Sequence, residues 1–407
     1  MKKLIYNLKY IKLYDLLSIF IFIFALPISL CYKLINKLKQ RSLWLVCEDG
    51  YHARDNGYVF FKYIKEKHAK DFCFYVIDKK QKDYKKVQKY DNIIQYKSFK
   101  HWIYYMAATY NISSQKSGNP SAPFFYLLHV KLNMFNNRVF LQHGITKDLS
   151  EWLFYKNTKF KFFVCGAKKE YDYLTKNYGY PDGHLIYTGF PRFDGLHDIN
   201  VNEKQILVMP TWRNWLGRDT NGLTQRVDIT KTNYFISWMK LLNNENFIRF
   251  IEENGYTVLF YPHINMQKYI NDFKFKSESI KKVTLDTNIQ GVLKSSALLI
   301  TDYSSVYMDF AYMNKPVIYF QFDMEEYRKK QYSVGYFDYN EDGFGPVFDR
   351  TEELVKYLIN NFEKNIFLED KYNARMKEFF ELHDKNNCER VYKLLKGVDI
   401  INEQATN

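Results

Sequence analysis

The chain has 407 residues, of which 46% are hydrophobic and 26% charged, a balance that is typical of a globular protein and excludes a disordered one. This length favours two domains, since a single hydrophobic core rarely grows beyond about 250–300 residues. The net charge of +14 suits an anionic partner, but no nucleic-acid-binding module is recognisable in the sequence, so we expect no nucleic acid partner.

The first predicted element is an uncharged apolar run over residues 16–32 with lysines on both sides. Its length is at the lower limit for a membrane span, and the flanking basic residues favour a segment that inserts into the inner leaflet without crossing it. Pro27 argues against a simple straight helix. We expect residues 1–41 to attach the protein to an anionic membrane surface, at the cytoplasmic face of the cell membrane. A single span and a buried core helix remain the alternatives.

From residue 42 onward, short β-branched or aromatic runs alternate with helical stretches, which predicts parallel sheets with crossover helices. The first set contains predicted strands at 43–47, 72–77, 92–96, 110–114, 138–142, 161–165 and 184–188, and helices at 57–67, 98–108 and 167–178. The second set contains predicted strands at 205–209, 256–261, 282–285, 298–302 and 316–321, and helices at 234–253, 266–273, 288–296 and 305–314.

A polar, irregular stretch over residues 190–203 separates the two sets and is interpreted as a linker. The fold class is therefore predicted to be α/β, with two Rossmann-like domains facing a cleft. We place these domains at residues 42–198 and 199–365, with a charged helical tail over residues 366–407.

Four polar motifs each follow directly after a predicted strand. They contain His143, Arg213, His263 and the pair Ser304–Ser305. Because ligands bind beyond the carboxyl ends of parallel strands, we expect these side chains to line a ligand site.

The turn from a predicted strand into a helix at Ser304 and Ser305 combines serine hydroxyls with the free N–H groups of a helix start, which favours phosphate binding. The alternative is an ordinary helix cap. Asp302 and Asp309 would repel phosphate, and they could instead orient hydroxyls or accept hydrogen bonds from a polyol. Thr301 is a weaker candidate at the same turn.

A histidine after a strand is well placed as a general base, because its pKa lies near neutrality, and His143 is the candidate for that role. His263 could hold a phosphate oxygen as imidazolium or protonate a leaving group, and Arg213 is a candidate clamp for a diphosphate. The alternatives are histidines hydrogen-bonded within turns and a surface arginine. No carboxylate pair has the spacing of metal ligands, so we expect no dedicated metal site.

Taken together, these motifs resemble the CDP-glycerol glycerophosphotransferase family, the teichoic-acid primases and polymerases. The resemblance covers residues 138–365 well and 43–137 loosely. The motifs are Gln142-His143-Gly144, Pro210-Thr211-Trp212-Arg213, Tyr261-Pro262-His263, Ile300-Thr301-Asp302-Tyr303-Ser304-Ser305 with Asp309, Lys315-Pro316-Val317-Ile318 and Gly343-Phe344-Gly345-Pro346.

The resemblance implies a GT-B architecture, attachment to the inner membrane face and CDP-glycerol as the donor substrate, with no tightly bound cofactor. His143 falls on the proposed base and His263 on a histidine in contact with the donor phosphates. Arg213, Thr301, Asp302, Ser304, Ser305 and Asp309 fall on the donor-binding region. The expected reaction moves glycerol phosphate from CDP-glycerol to a hydroxyl of a lipid-linked glycan or polyol-phosphate acceptor, releases CMP, and belongs to teichoic-acid-like or capsular polymer synthesis.

The sequence departs from the family where Ile145-Thr146 replaces Thr-Pro and where Phe260-Tyr261 precedes the second histidine. These departures leave the acceptor and the polyol open. The alternatives are a CDP-ribitol or other CDP-polyol donor, a nucleotide-sugar glycosyltransferase, and a non-catalytic membrane scaffold. The released nucleotide separates the first two classes, and turnover separates both from the third.

Overall fold

The structure is a computed structural model that describes residues 13–217, 227–284, 287–363 and 368–398. These residues form two compact units. Within the described ranges, unit 1 contains residues 13–145, 151–195 and 384–398, and unit 2 contains residues 146–150 and 196–383.

Each unit is built on one parallel sheet. The strands of unit 1 are β1 (Trp44–Val46), β2 (Cys73–Ile77), β3 (Ile93–Gln95), β4 (Tyr110–Ser113), β5 (Arg138–Phe140), β6 (Phe162–Cys165) and β7 (Leu185–Tyr187). The strands of unit 2 are β8 (Asn202–Met209), β9 (Thr257–Phe260), β10 (Ile280–Lys282), β11 (Ser296–Thr301), β12 (Val317–Phe320) and β13 (Val347–Phe348).

Helices connect these strands. They are α1 (Leu13–Leu38), α2 (Asn56–Lys67), α3 (Tyr84–Val87), α4 (Phe99–Ala107), α5 (Ala122–Tyr126), α6 (Tyr155–Thr158), α7 (Lys168–Asn177), α8 (Asn214–Gly217), α9 (Asn233–Leu242), α10 (Glu245–Glu253), α11 (Ile289–Ser295), α12 (Val306–Tyr312), α13 (Met324–Lys330), α14 (Thr351–Glu363), α15 (Asp370–Phe379) and α16 (Asn387–Lys396). Short 3₁₀ turns lie at Glu151–Leu153, Pro191–Gly195, Ile229–Lys231 and Ile264–Tyr269, and a π-helical turn lies at Leu127–Lys131.

The sheet of unit 1 has the order β3-β2-β1-β4-β5-β6-β7, and that of unit 2 has the order β10-β9-β8-β11-β12-β13. In both sheets the chain reverses its direction of winding beside the first strand, which is the doubly wound pattern of Rossmann-like domains. Strands β1 and β2 are buried along their whole length, as expected for parallel strands covered on both faces. The prediction of two Rossmann-like α/β domains is confirmed.

Two helix predictions in unit 2 were wrong. The predicted helix over 234–253 is two helices, because Asn243 ends α9 and the side chain of Asn244 caps the start of α10, accepting from the N–H of Phe247 at 3.1 Å. The predicted helix over 266–273 is the 3₁₀ turn Ile264–Tyr269. In the first case, Asn243 and Asn244 interrupt a helical spacing of apolar residues that continues on both sides of them.

Helix α1 continues through Pro27, the residue that argues against a simple straight helix. Contacts with α4 on both sides of the proline explain this continuity. Before Pro27, the Nε1 of Trp102 donates to the hydroxyl of Tyr14 at 3.0 Å, and after it the hydroxyls of Tyr32 and Tyr104 lie 3.0 Å apart. The packing on α4 holds the helix across the one hydrogen bond that proline removes.

The division between the units lies at Gly195 and Leu196, close to the predicted boundary between 198 and 199. The first half of the predicted linker over 190–203 is packed, however, since Pro191 and Phe193 are buried in the 3₁₀ turn. The predicted tail over 366–407 also divides: α15 belongs to unit 2 and α16 to unit 1.

Helix α16 is fixed to unit 1 by the carboxylate of Asp194. This carboxylate accepts hydrogen bonds from the backbone N–H groups of Asn387 at 2.8 Å and Cys388 at 2.9 Å, which are free donors in the first turn of the helix. The hydroxyl of Tyr392 further along α16 donates to Asp71 at 2.8 Å. One polar residue of the predicted linker, Asp194, thus caps α16.

Candidate active site

The loop that carries His143 in unit 1 is held rigidly from three directions. Gln142, after β5, adopts a left-handed backbone with φ +58°, and its side-chain amide donates to the carbonyl of Val164 at 2.7 Å and to Glu170 at 3.0 Å. The amide of Asn56, at the start of α2, donates to the carbonyl of Gln142 at 2.8 Å. A non-glycine residue with positive φ is uncommon and persists only where its surroundings hold it.

His143 is exposed, and its Nδ1 lies 3.3 Å from the carbonyl oxygen of Ser114, which follows β4. A carbonyl can only accept, so Nδ1 carries the proton in this contact. In the neutral ring Nε2 is then an unprotonated acceptor, which is the state that a general base needs. His143 follows β5, which ends at Phe140, so it lies at the carboxyl end of the sheet, as the sequence predicted.

Glu48 is a buried acid in the loop after β1 that the sequence did not single out. Its carboxylate accepts from the backbone N–H groups of Arg54 at 3.2 Å, Asp55 at 2.8 Å and Tyr58 at 2.9 Å. Burial, together with the nearby carboxylate of Asp55, raises the pKa of Glu48 to about 8. The signal that could have found Glu48 and Asn56 is their position in a polar loop directly after a strand.

Arg213 in unit 2 was predicted to be a diphosphate clamp, and its geometry leaves it unavailable for that role. The side chain is fully buried, and its Nε and Nη2 donate to Asp323 at 2.8 and 2.9 Å. Nη2 also donates to Asp302 at 2.9 Å, and Nη1 donates to the carbonyl of Thr211 at 2.8 Å. Burial by itself would lower the pKa of Arg213. The two carboxylates have the larger combined effect, so the pKa lies above its usual value. Arg213 is an internal ion-pair partner that holds its loop in place.

Thr301 and Asp302 are also buried and committed to internal contacts. The hydroxyl of Thr301 donates to the carbonyl of Met209 at 2.7 Å. The Oδ1 of Asp302 accepts from the backbone N–H groups of Thr211 at 2.8 Å and Tyr303 at 2.7 Å. These contacts join the ends of β8 and β11, so both residues position the loops around the site.

Ser304 and Ser305 lie at the start of α12 and are half-buried. The Oγ of Ser304 accepts from the N–H of Val306 at 3.4 Å, and Ser305 occupies the cap position without a capping hydrogen bond from its side chain. Asp309 lies one turn further along the same helix and is buried. Of the predicted donor-binding residues, the two serines are therefore the ones whose hydroxyls remain partly accessible.

His263 follows β9 and is half-buried. Its Nδ1 accepts from the backbone N–H of Asn265 at 3.2 Å, so in the neutral ring Nε2 carries the proton. Burial lowers the pKa of His263 to about 4, which makes the ring neutral at pH 7. A neutral ring argues against the first role that the sequence left open, an imidazolium that holds a phosphate oxygen, and it leaves Nε2–H as a neutral donor.

The loops of unit 2 meet through backbone contacts. The N–H of His263 donates to the carbonyl of Pro210 at 3.2 Å, and the rings of His263 and Trp212 are stacked with centroids 6.0 Å apart. Through Thr211 the same loop is bound to Asp302, two residues before Ser304. The structure thus brings the motifs after β8, β9 and β11 together within unit 2, and it places His143 in unit 1. Within the described residues, no group of three or more His, Cys, Asp or Glu side chains could hold a metal ion.

The chain matches the profile of the CDP-glycerol:poly(glycerophosphate) glycerophosphotransferase family over residues 29–397, which is nearly its whole length. The chain belongs to this family. The resemblance inferred from the histidine and serine motifs is therefore confirmed.

This glycerophosphotransferase family member is 35% identical over 382 residues to the minor teichoic acid biosynthesis protein GgaB of Bacillus subtilis (strain 168). That alignment covers 92% of this chain and 42% of GgaB, so the chain spans less than half of that relative. This chain is also 24% identical over 413 residues to the teichoic acid poly(glycerol phosphate) polymerase of Bacillus spizizenii (strain ATCC 23059 / NRRL B-14472 / W23). That alignment covers 91% of this chain and 96% of the polymerase.

Among solved structures, the wall teichoic acid polymerase TagF soaked with CDPG resembles this family member with a TM-score of 0.60 and 16% identity. The superposition covers 93% of this chain and 98% of that chain. At this identity the likeness shows the fold alone, which is a TagF-like, GT-B-type fold of two parallel-sheet domains.

Proposed function

We propose that this protein is a CDP-glycerol glycerophosphotransferase that transfers glycerol phosphate to a hydroxyl group of an acceptor and releases CMP, in the synthesis of a teichoic-acid-like polymer. The observation that carries this proposal is the contact of the His143 Nδ1 with the carbonyl oxygen of Ser114 at 3.3 Å. The Nδ1–H of His143 faces this carbonyl, and this leaves Nε2 as a base on an exposed ring of a family member.

In the proposed reaction the acceptor oxygen attacks the β-phosphorus of CDP-glycerol. A new O–P bond forms, the bond from the β-phosphorus to the bridging oxygen breaks, and CMP leaves with that bridging oxygen. Nε2 of His143 takes the proton of the attacking hydroxyl, a contribution that is typically worth about 10²–10⁴-fold in rate. The remaining rate enhancement is assigned to positioning and to electrostatic stabilisation of the phosphates.

Donor binding is assigned to unit 2. The Nε2–H of His263, the hydroxyls of Ser304 and Ser305, and the N–H groups at the start of α12 are the proposed partners of the diphosphate. Arg213 and Asp302 are proposed to act indirectly, by fixing the loops that carry these donors. In this assignment Arg213 stays paired with Asp302 and Asp323 and offsets part of their negative charge.

We also propose that α1 docks on the membrane surface without crossing it. Within α1 the stretch Leu17–Leu38 is long and apolar enough to span a membrane, with a mean hydropathy of 2.1. One face, including Ser18 and Ala25, is nevertheless buried against unit 1, while Phe20 and Phe24 on the other face are 63% and 66% exposed. A helix packed along a domain in this way is suited to lie in the interface plane with its outer face in the lipid.

Basic residues near the end of α1 support this orientation. Lys33, Lys37 and Arg41 line a cavity of about 660 Å³, and the described lining residues include no acid. A basic surface next to an apolar helix suits anionic headgroups. A lipid-linked acceptor would then be presented close to unit 1, and we propose that the enzyme works at the cytoplasmic face of the cell membrane.

The test is to incubate the purified protein with CDP-glycerol, CDP-ribitol or a nucleotide sugar, each with candidate polyol-phosphate or lipid-linked acceptors. We expect CMP release with CDP-glycerol and a product heavier by one or more glycerol phosphate units in mass spectra. Release of a nucleoside diphosphate from a sugar donor would identify a glycosyltransferase instead. Absence of turnover with every donor and acceptor would favour a non-catalytic scaffold.

A further inference from the structure

Arg138, at the start of β5 in unit 1, is a buried cation without an anionic partner among the described residues. Its side chain is 8% exposed, and its Nη2 donates to the carbonyl oxygen of Thr158. Its Nε is buried without a hydrogen-bond partner among the described residues, and the guanidinium lies over the ring of Phe160 with Cζ at 4.8 Å from the ring centroid. A guanidinium has five N–H donors, so most of its binding capacity is unused here.

Lys116, in the loop after β4, adds a second cation at the same place. It and Arg138 line a cavity of about 260 Å³, and none of the described residues that line this cavity is acidic. The Nζ of Lys116 donates to the carbonyl of Trp152 at 3.1 Å, which leaves further N–H donors. Burial lowers the pKa of both groups, and the charge of Arg138 lowers that of Lys116 further.

Two cations that share a cavity without a carboxylate are an unfavourable arrangement for the protein alone. Burying a charge costs free energy unless the charge is paired, and the ion pair of Arg213 with Asp302 and Asp323 in unit 2 shows how this chain compensates a buried guanidinium elsewhere. Arg138 has no such compensation from a carboxylate in the described part of the chain. An anionic ligand would supply it.

A third residue of the cavity indicates what else the ligand carries. Asn119 is 6% exposed, lines the cavity, and has a buried amide oxygen without a hydrogen-bond partner among the described residues. An amide oxygen accepts from a hydroxyl but not from a fully ionised phosphate. The set of donors on Arg138 and Lys116 with an acceptor on Asn119 therefore matches a phosphate ester that also bears hydroxyl groups.

We propose that the cavity lined by Lys116, Asn119 and Arg138, here called the Arg138 cavity, binds a phosphate group of a polyol-phosphate acceptor. This inference rests on the proposed function, because it assigns a subsite to the acceptor of that reaction. Lys116 lies two residues after Ser114, whose carbonyl contacts the ring of His143, so the Cα atoms of Lys116 and Ser114 are at most about 7 Å apart. The link between the cavity and the loop that contacts the base therefore runs through Lys116, whereas Arg138 lies at the amino end of β5.

The test measures binding of sn-glycerol 3-phosphate to the full chain by phosphorus NMR titration. The variants are Lys116→Gln and Arg138→Gln, with Lys156→Gln as the matched control, because Lys156 is an exposed lysine of the same unit. We expect each cavity variant to weaken binding by about tenfold or more, as for the loss of a charge-assisted hydrogen bond, and the control to bind like the wild type. Binding of CDP-glycerol should be unchanged in all three.

Arg138→Gln could reduce stability, since Arg138 is buried, but Lys116 is only partly buried and its variant carries the test independently. Equal binding of glycerol 3-phosphate by the wild type and Lys116→Gln would overturn the proposal. So would inorganic phosphate binding as tightly as glycerol 3-phosphate, which would indicate an adventitious anion only. A third outcome is binding to phosphatidylglycerol vesicles that depends on Lys116, with no binding of glycerol 3-phosphate. It would assign the cavity to lipid headgroups and equally contradict the proposal.

Kinetics with a polyol-phosphate acceptor separate this inference from the proposed function. We expect the cavity variants to raise the KM for the acceptor and to leave the KM for CDP-glycerol unchanged. Normal KM values for both substrates in Lys116→Gln would remove the subsite and leave the transfer reaction intact. Lack of any transfer by the wild type, with glycerol 3-phosphate binding that still depends on Lys116, would remove the proposed function and leave a phosphate-ester site.

Discussion

Arg213 and Asp323 form a two-bond ion pair inside unit 2, with Nε–Oδ2 at 2.8 Å and Nη2–Oδ1 at 2.9 Å and no measurable exposure of the arginine. The same guanidinium reaches Asp302, which carries the hydrogen bonds that join the ends of β8 and β11. The pair therefore links the site loops to the core of the unit. We expect its loss to lower the free energy of unfolding more than it lowers the transfer rate.

Replacing Arg213 by lysine should destabilise the protein by about 3–5 kcal/mol, because one ammonium group cannot serve two buried carboxylates in this geometry. Urea unfolding of the purified variant measures the change. Arg350→Lys is the control, since Arg350 is exposed and its ion pair is expected to contribute at most about 1 kcal/mol. A variant of Arg213 with wild-type stability and weakened CDP-glycerol binding would restore the direct clamp that the sequence predicted.

Replacing His143 by alanine should lower the transfer rate by about 10²–10⁴-fold while CDP-glycerol binding is retained, because the ring acts on the acceptor proton. Steady-state kinetics and calorimetry with CDP-glycerol measure the two effects. His184→Gln is a suitable control: His184 precedes β7, so it lies at the amino end of a parallel strand, and its Nδ1 contacts the carbonyl of Phe160 at 2.9 Å. Wild-type turnover in His143→Ala would remove His143 from the mechanism.

His263 should remain neutral in the folded protein down to about pH 4, with the proton on Nε2. Nitrogen-detected NMR of the imidazole measures both the tautomer and the titration. An unfolded histidine titrates near pH 6.5, so unfolding takes up a proton between about pH 6.5 and 4, and this contribution to stability is lost as the pH falls through that range. His263→Gln should lessen the pH dependence there, whereas a ring that protonates near pH 6.5 in the native state would contradict the assignment.

Replacing both Ser304 and Ser305 by alanine should weaken CDP-glycerol binding by about tenfold or more, because two hydroxyl donors at the start of α12 are removed. Calorimetry with CDP-glycerol gives the affinity. Ser237→Ala on α9 is the matched control, since that hydroxyl contacts Asn233 on the same helix at 3.1 Å. Unchanged affinity in the double variant would mean that the serines only begin the helix.

Replacing Phe20 and Phe24 by glutamate should reduce binding to anionic vesicles by about a hundredfold or more, since burial of each phenylalanine is worth about 1.5–3 kcal/mol. Co-sedimentation with phosphatidylglycerol vesicles measures this, and the fold should survive because both rings are exposed. Ile236→Glu, at an exposed apolar position of unit 2, should bind vesicles like the wild type. Equal binding by the double variant would show that α1 does not contact the lipid.

Much of the fold could be predicted from the sequence because each parallel strand is a short apolar run, and such runs are visible locally. The carboxyl ends of β5, β9 and β11 were predictable to within two residues for the same reason, and with them the placement of His143, His263 and Ser304. The predicted strand over 282–285 was misplaced, since it overlaps β10 only at Lys282. The motifs that follow these strands were enough to identify the family.

The partners of Arg213 could not be predicted, since Asp302 and Asp323 lie far along the chain and carry no local sign of burial or pairing. The sequence therefore favoured a ligand contact where the structure has an internal ion pair. The break between α9 and α10 escaped for a different reason: the caps at Asn243 and Asn244 are polar signals within a spacing of apolar residues that continues across them.

Helix α16 also bears on how the protein is made. Asp194 and Asp71 of unit 1 hold residues that are translated after the whole of unit 2, Asn387 and Tyr392 among them. Every residue of unit 2 is therefore translated before α16, and unit 1 must wait for α16 to complete its packing. Truncation directly after residue 383 would thus impair the unit that is synthesised first and leave every residue of the later one in place.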